Sequence, residues 1–379
     1  MLYLAYRELL RQGGRGLLSL LAIASAIAIV LLFEGFHAGI LDRLHRFPAS
    51  LPAQLVVVQQ GVENFTMARS ALRQMTRDDV EAIDGVKIAH PLLVLPVIFD
   101  HGGRSIPIQL LVHDEVGGTR SVVVGRNVNG KHQMVLDRRI ARHSGIDVGT
   151  QVDLFGYKLE VVGLSGDSES PFAPYGFISF ETLIDLYFNA DLPMSPDSVS
   201  LLGALLVQLE DGESPHVVRA AIERTVLDVD VFTPDELGRS DAAMGDLLLG
   251  PALGLLIGIA WVIALLAIAV GNYGSVQARL QQYAVLKALG ASPAALAIAV
   301  LATALTMTLV AIPLGLVLSR SVGEFVVAFS ATWRPLPWQP EVVVRATIAA
   351  LAATVLGVLP ALRRLTRVEA DAVLRGGVS

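Results

Sequence analysis

The chain has 379 residues and a mean hydropathy of +0.58, too apolar for an ordinary soluble protein, and its lack of cysteine excludes disulfides and thiolate metal sites. The formal net charge of −6 divides unevenly: residues 42–245 hold 17 Lys/Arg and 28 Asp/Glu, and the remainder holds 12 and 7. An acidic insert in a basic, apolar remainder argues against nucleic acid as a partner, because phosphate binding needs positive charge on the exposed part.

In chain order, residues 1–15 place Leu2, Tyr6, Leu9 and Leu10 on one helical side with Arg7 and Arg11 among the polar positions, as in a helix lying along a membrane interface. The alternative is the frayed start of the first span. Leu17 to Phe33 is charge-free and near the lower limit for crossing a bilayer, which predicts a first span over 16–38. Ala24-Ser25-Ala26 also resembles a signal-peptide cleavage site, but the apolar run continues past it, favouring an uncleaved span. Glu34 and His37 stand one turn apart at the outer end of this span. They read as an interfacial pair or as residues of substrate access.

The acidic insert, 42–245, reads as two α+β lobes. Strands are expected at 55–59, 88–99, 105–113, 204–209 and 229–232, with helices at 76–83 and 214–227; these form a split βαβ lobe over 50–118 plus 201–240. His101-Gly102-Gly103 marks a turn. The middle, 119–200, reads as an inserted strand-rich lobe, with a short basic helix over 137–144 and a hairpin whose strands, 152–155 and 158–163, are joined by Gly156-Tyr157.

Leu247 to Val270 and Pro293 to Leu318 are charge-free and longer than the ~20 residues a span requires. They predict spans at 247–272 and 293–318, an outer loop at 319–341, a fourth span at 342–362 and a tail at 363–379. Trp333 and Trp338 in the outer loop suit an aromatic belt, and Arg345 is expected to snorkel toward the same headgroups. Arg7, Arg11 and Arg15, then Arg279 and Lys287, then Arg363, Arg364 and Arg367 fall on one side of a four-span topology. That puts both termini and the 279–292 connection in the cytoplasm, and the insert outside. In the connection, Val285, Leu286 and Leu289 share a helical face and Gly290 can end the helix, so it reads as an amphipathic cytoplasmic helix or as a plain hairpin turn.

The segment Ala284 to Ser292, AVLKALGAS, resembles the element after the second span in permease subunits of the MacB/FtsX-type (type VII) ABC transporters, with Gln282 where that family usually has Glu. Gly125-Arg126, the stretch from Met134 to Leu164 and Tyr175-Gly176-Phe177-Ile178 resemble the external core of MacB-type permeases. Pro360 to Arg364 followed by Val368 to Arg375 resembles the family tail. The resemblance runs nearly the full length and is nearest the exporter (DevC/MacB-like) branch. It implies a polytopic α-helical membrane protein with four transmembrane helices and a large α+β extracytoplasmic domain between the first two, in a bacterial inner membrane with that domain periplasmic.

It further implies that Gln282, Tyr283, Val285, Leu286, Lys287, Ala288, Leu289 and Gly290 form the coupling helix that docks on an ABC ATPase. Two ATPase copies would bind ATP and Mg, a second permease copy would complete a homodimer, and membrane lipids would surround the spans. This chain has no phosphate-binding loop of the G-x-x-x-x-G-K-[ST] type and no H-x-x-x-H or H-E-x-x-H pair, so neither a cofactor nor a metal nor catalysis is expected in it. Near-absence of charge within the spans argues against an ion pathway. Two functions fit: ATP-driven export or extraction of a hydrophobic or amphiphilic substrate by mechanotransmission, with a periplasmic membrane-fusion adaptor or an outer-membrane channel, or an FtsX-like transducer that regulates a cell-wall hydrolase.

Overall fold

The computed structural model describes residues 13–66, 70–119, 121–166, 168, 173–189, 201–277, 285–286, 289–329 and 339–367. The expected interfacial stretch up to residue 12, the belt residues Trp333 and Trp338, and the tail beyond 367 lie outside them. The chain divides into a helical unit, drawn from residues up to Gly39, Leu249–Phe329 and the last helix, and an α/β unit, Ile40–Leu248.

Four long helices carry the apolar runs: α1 (Gly13–Ala49), α6 (Pro234–Gln277), α7 (Pro293–Phe329) and α8 (Pro340–Arg367). Each outruns the span expected for it, because helix formation needs backbone hydrogen bonds and not an apolar side chain at every position. The start of α6 shows what sets a helix end. Thr233 Oγ1 accepts the Glu236 N–H (3.3 Å) and Glu236 Oε2 accepts the Thr233 N–H (2.9 Å), a reciprocal capping box with Pro234 at the first helical position.

Inside the helical unit, Ile23, Ala24, Ile27 and Leu31 of α1 pack with Ile268 of α6, Ala311 of α7 and Ala346 and Ala350 of α8. Small residues let the backbones approach: a Cβ on Gly357 would lie 2.7 Å from Ala269 Cα, and one on Gly315 would lie 3.0 Å from the Ala24 carbonyl. The buried hydroxyls of Thr308 and Thr354 join α7 to α8 at 2.7 Å.

The α/β unit contains β1 (Leu55–Gln59), β2 (Leu72–Arg73), α2 (Met75–Glu81), β3 (Val86–His101), β4 (Arg104–His113), β5 (Val122–Gly125), β6 (Gln133–Asp137) and α3 (Arg138–Ser144). It continues with β7 (Gln151–Leu154), β8 (Tyr157–Ser165), β9 (Tyr175–Ser179), α4 (Phe180–Asn189), β10 (Leu201–Leu202), β11 (Ala204–Leu209), α5 (Pro215–Thr225) and β12 (Val229–Phe232). The β12-β1-β11-β3 order, with every neighbouring pair antiparallel, is the split βαβ arrangement. Beyond it the sheet continues without a break through β4, β9, β6, β8 and β5. The stretch read as an inserted lobe therefore extends one sheet: the long hairpin β3–β4 supplies an edge, and β9 adds to β4 in parallel with Leu111 opposite Phe177. Strand β7 pairs with both β8 and the far end of β3.

Turn chemistry fixes the registers. Gly102 and Gly103 both have positive φ between His101 and Arg104, as a two-residue hairpin turn of the favoured hand requires. The β7–β8 turn is Phe155-Gly156 and not Gly156-Tyr157: Leu154 pairs with Tyr157, and both turn residues have positive φ. The φ of +55° at an aromatic residue hid this turn from sequence reasoning.

Three cores result. One packs β1, β11 and β12 against α2 and α5 through Leu55, Val80, Leu205, Val218 and Ile222. A second gathers Phe99, Ile108, Leu136, Ile140, Leu159 and Leu183 at the far end. The third lies on the opposite face of the sheet, where Val56, Leu92, Leu111 and Phe177 meet Phe47 from the outer turns of α1 and Leu237 from those of α6.

Candidate functional site

Of the connection between α6 and α7, residues 285–286 and 289–292 are described, and they end one helical turn and start the next helix. Val285 and Leu286 lie in a helical turn, the Leu289 N–H donates to the Val285 carbonyl (3.0 Å), and the Ala291 N–H reaches back to the Leu286 carbonyl (3.0 Å). Gly290 between them has φ +92°, the left-handed residue of a Schellman closure. The next helix starts two residues later: Ser292 Oγ accepts the Ala295 N–H (3.2 Å), and Pro293 takes the first helical position. This geometry leaves Val285 and Leu286 about half exposed, at 49% and 45%, and Leu289 at 79%. Three apolar side chains thus project from the described part of the connection, where two backbone hydrogen bonds close the turn around Gly290. Of the docking residues expected from sequence, Gln282, Tyr283, Lys287 and Ala288 lie outside the described residues.

The second candidate, Glu34, is 4% exposed on α1. Its Oε1 accepts the Trp261 indole N–H of α6 at 3.0 Å, and its Oε2 pairs with the Arg345 guanidinium of α8. Arg345, expected to snorkel to headgroups, pairs with this carboxylate while its side chain remains 66% exposed. A charge buried between helices is costly alone and is retained where a partner neutralises it. His37 is half-buried one turn further along α1. Trp261 was missed from sequence; an indole within an apolar run was the available signal, since a buried Trp N–H needs an acceptor. Asn272, also missed, is 1% exposed in the helical unit, with both side-chain polar atoms unpartnered among the described residues.

In the α/β unit, Gly125 and Gly163 explain the Gly-Arg feature. A Cβ on Gly125 would come within 2.3 Å of the Val162 carbonyl, and one on Gly163 within 2.3 Å of the Arg126 carbonyl, so the β5–β8 crossing closes only without side chains. Near the other end of this region, Tyr157 stacks on His132 (centroids 4.9 Å apart) and donates its hydroxyl to Asp185, which also lies 3.3 Å from His132 Nε2. Burial and the Asp185 carboxylate push the Tyr157 hydroxyl well above its ordinary pKa, leaving it a firm donor and no candidate base. Among the described residues no group of three or more His, Cys, Asp or Glu could hold a metal ion.

Two family models match. One, described as a MacB-like periplasmic core domain, covers residues 17–225, and one described as an FtsX-like permease C-terminal domain covers residues 254–370. Among solved structures, the periplasmic region of MacB from Actinobacillus actinomycetemcomitans aligns at TM-score 0.39 and 12% identity, over 52% of this chain and 97% of that one. The extracellular domain of the noncanonic ABC-type transporter YknZ from Gram-positive bacteria aligns at TM-score 0.36 and 14% identity, over 48% of this chain and all of that one. Comparison with curated proteins gave no match. With a MacB-like periplasmic core followed by an FtsX-like permease domain, four helices able to span a membrane and an α/β domain between the first two, the chain belongs to the MacB/FtsX-like ABC transporter permease family, whose members are multi-pass membrane proteins that work with an ATPase partner.

Proposed function

We propose that this permease passes the motion of an ATPase subunit across the inner membrane to its external domain, and so drives export or extraction of a hydrophobic or amphiphilic substrate. The observation that carries this reading is the course of α6. One uninterrupted helix starts at a capping box beside β12, contains the apolar run 247–270, and ends at Gln277, shortly before the Val285 turn. A continuous helix of 44 residues, about 66 Å of path at helical rise with Pro251 inside it, links the two units through one element, and that suits the transfer of displacement.

The exposed Val285, Leu286 and Leu289 form the ATPase contact in this reading, with ATP and Mg held by two ATPase copies under a permease homodimer whose termini are cytoplasmic. Substrate would be moved from the outer side of the membrane, toward an adaptor or an outer-membrane channel. The size of the external domain, with strands from Leu55 to Phe232, favours export over activation of a cell-wall hydrolase. Leu286→Asp tests the contact. Because Leu286 is 45% exposed, the variant is expected to fold and to lose the ATPase on affinity purification of the complex. Retention at the wild-type level would remove Leu286 from the interface and the coupling role from this segment.

A further inference from the structure

The face of the sheet that receives Phe47 and Leu237 is not completely filled. Next to that core lies a cavity of about 250 Å³. Its floor is the paired stretch of β3 and β4 at Val94, Pro96 and Gln109, and residues 64–66 and 70–71 close its sides together with Leu201 and Gly203. The described lining mixes apolar groups such as Phe65 and Val94 with the neutral polar groups of Asn64, Ser70 and Gln109. It contains no Lys, Arg, Asp or Glu, although the surrounding domain is rich in them.

The rim is fastened to α6. Asp241, 0% exposed, accepts the Phe65 N–H at 2.5 Å and the Thr66 N–H at 3.0 Å, and it also takes the Thr66 hydroxyl. Three donors from two consecutive residues thus converge on one carboxylate of the helix that also carries the second span. A buried carboxylate is held by such bonds, and removing it leaves the donors unmet.

We propose that this cavity is a binding site for a neutral amphiphile, one alkyl chain bearing a hydroxyl or amide head, and that Asp241 makes its rim respond to α6. Size and polarity carry the ligand class. The volume lies below the roughly 300–1,000 Å³ of sites that enclose drug-sized ligands, which favours a single chain over a bulky polycyclic or macrocyclic body. Apolar walls suit the chain, and the amide and hydroxyl groups suit a neutral head. Among the described lining residues an anionic head meets no cation, and it would face the Asp241 carboxylate behind Thr66. The site holds whether the domain exports or signals, and it is independent of the ATPase contact.

The lack of native cysteine makes the test direct. Full-length Ala71→Cys protein in lipid nanodiscs, without ATPase, is labelled with a neutral alkyl methanethiosulfonate, with Thr225→Cys on exposed helix α5 as the control for effects of the additive on the membrane. Monooctanoylglycerol is expected to slow labelling at position 71 at least five-fold and to leave position 225 unchanged, whereas octanoate at the same concentration protects neither. Adding Asp241→Asn, which keeps the shape and removes the charge, is expected to reduce the protection to less than two-fold, and Asp241→Leu to abolish it. Absence of protection by monooctanoylglycerol overturns the site, equal protection by octanoate overturns the ligand class, and full protection in both Asp241 variants overturns the link to α6.

Discussion

Glu34 shows how much one buried group decides. Its carboxylate is satisfied by one indole and one guanidinium from two other helices, so it ties α1 to α6 and α8 at a single point. Arg345→Leu leaves that carboxylate beside Trp261 alone; because the Arg345 side chain is itself 66% exposed, the loss is on the order of 1 kcal/mol, and Glu34→Gln combined with Arg345→Leu restores most of it. Thermal unfolding of the purified full-length protein reads both; an unchanged midpoint in Arg345→Leu would show that the pair contributes nothing. His113 offers a second test at this scale. The ring is 5% exposed, with its Nδ1–H donating to the Asp114 carbonyl at 2.6 Å, and desolvation holds its pKa below the ordinary 6.5. The unfolded chain therefore takes up the proton first. This contribution to stability is complete above about pH 6.5 and is lost as the pH falls through the unfolded pKa toward the folded one. The midpoint of His113→Gln is expected to decline less than that of the wild type between about pH 7.5 and 5.5, a window that brackets the ordinary histidine pKa. Neither group could be assigned its surroundings from sequence: the charge of Glu34 near a span was legible, but a partner 311 residues away was not.

At the scale of elements, local chemistry was legible wherever a short motif specifies it. The strands at 55–59, 204–209 and 229–232 and the Gly102-Gly103 turn follow from alternation and turn residues, and Gly290 has the left-handed conformation its position suggested. Thr233-Pro234-Asp235-Glu236, missed from sequence, is the capping box that marks where α6 begins, thirteen residues before the apolar run that hydropathy picks out. The Phe155 turn was not legible, because a positive φ at an aromatic residue is imposed by the pairing around it. Gly290→Ala is expected to cost about 1–2 kcal/mol locally, since a Cβ there disfavours the left-handed conformation. ATPase co-purification should fall several-fold in consequence, and less in Gly290→Asn. An unaffected Gly290→Ala complex would mean that this closure does not set the contact.

For the whole molecule, four spanning helices and an α/β insertion follow from charge-free runs and alternating strands, but the order of the sheet does not. Sequence separates 119–200 from its flanks, whereas the fold threads it into the same sheet through the parallel pairing of Gln109 with Tyr175, a contact decided by packing on both faces. The same long-range packing puts the outer turns of α1 and α6 on one face of that sheet, through Phe47 and Leu237. The proposed coupling therefore rests on α6, whose first turns pack in the external core through Leu237 and which continues through the apolar run 247–270 to Gln277. Spin labels at Thr225→Cys in the assembled permease–ATPase complex measure this most directly. The account predicts that the distance between labels on the two copies of the proposed homodimer differs by several ångströms between ATP-trapped and nucleotide-free complexes, and that Leu286→Asp permease, having lost the ATPase, shows no nucleotide-dependent difference; an identical distance distribution in both states, with the ATPase bound and hydrolysing, would contradict it.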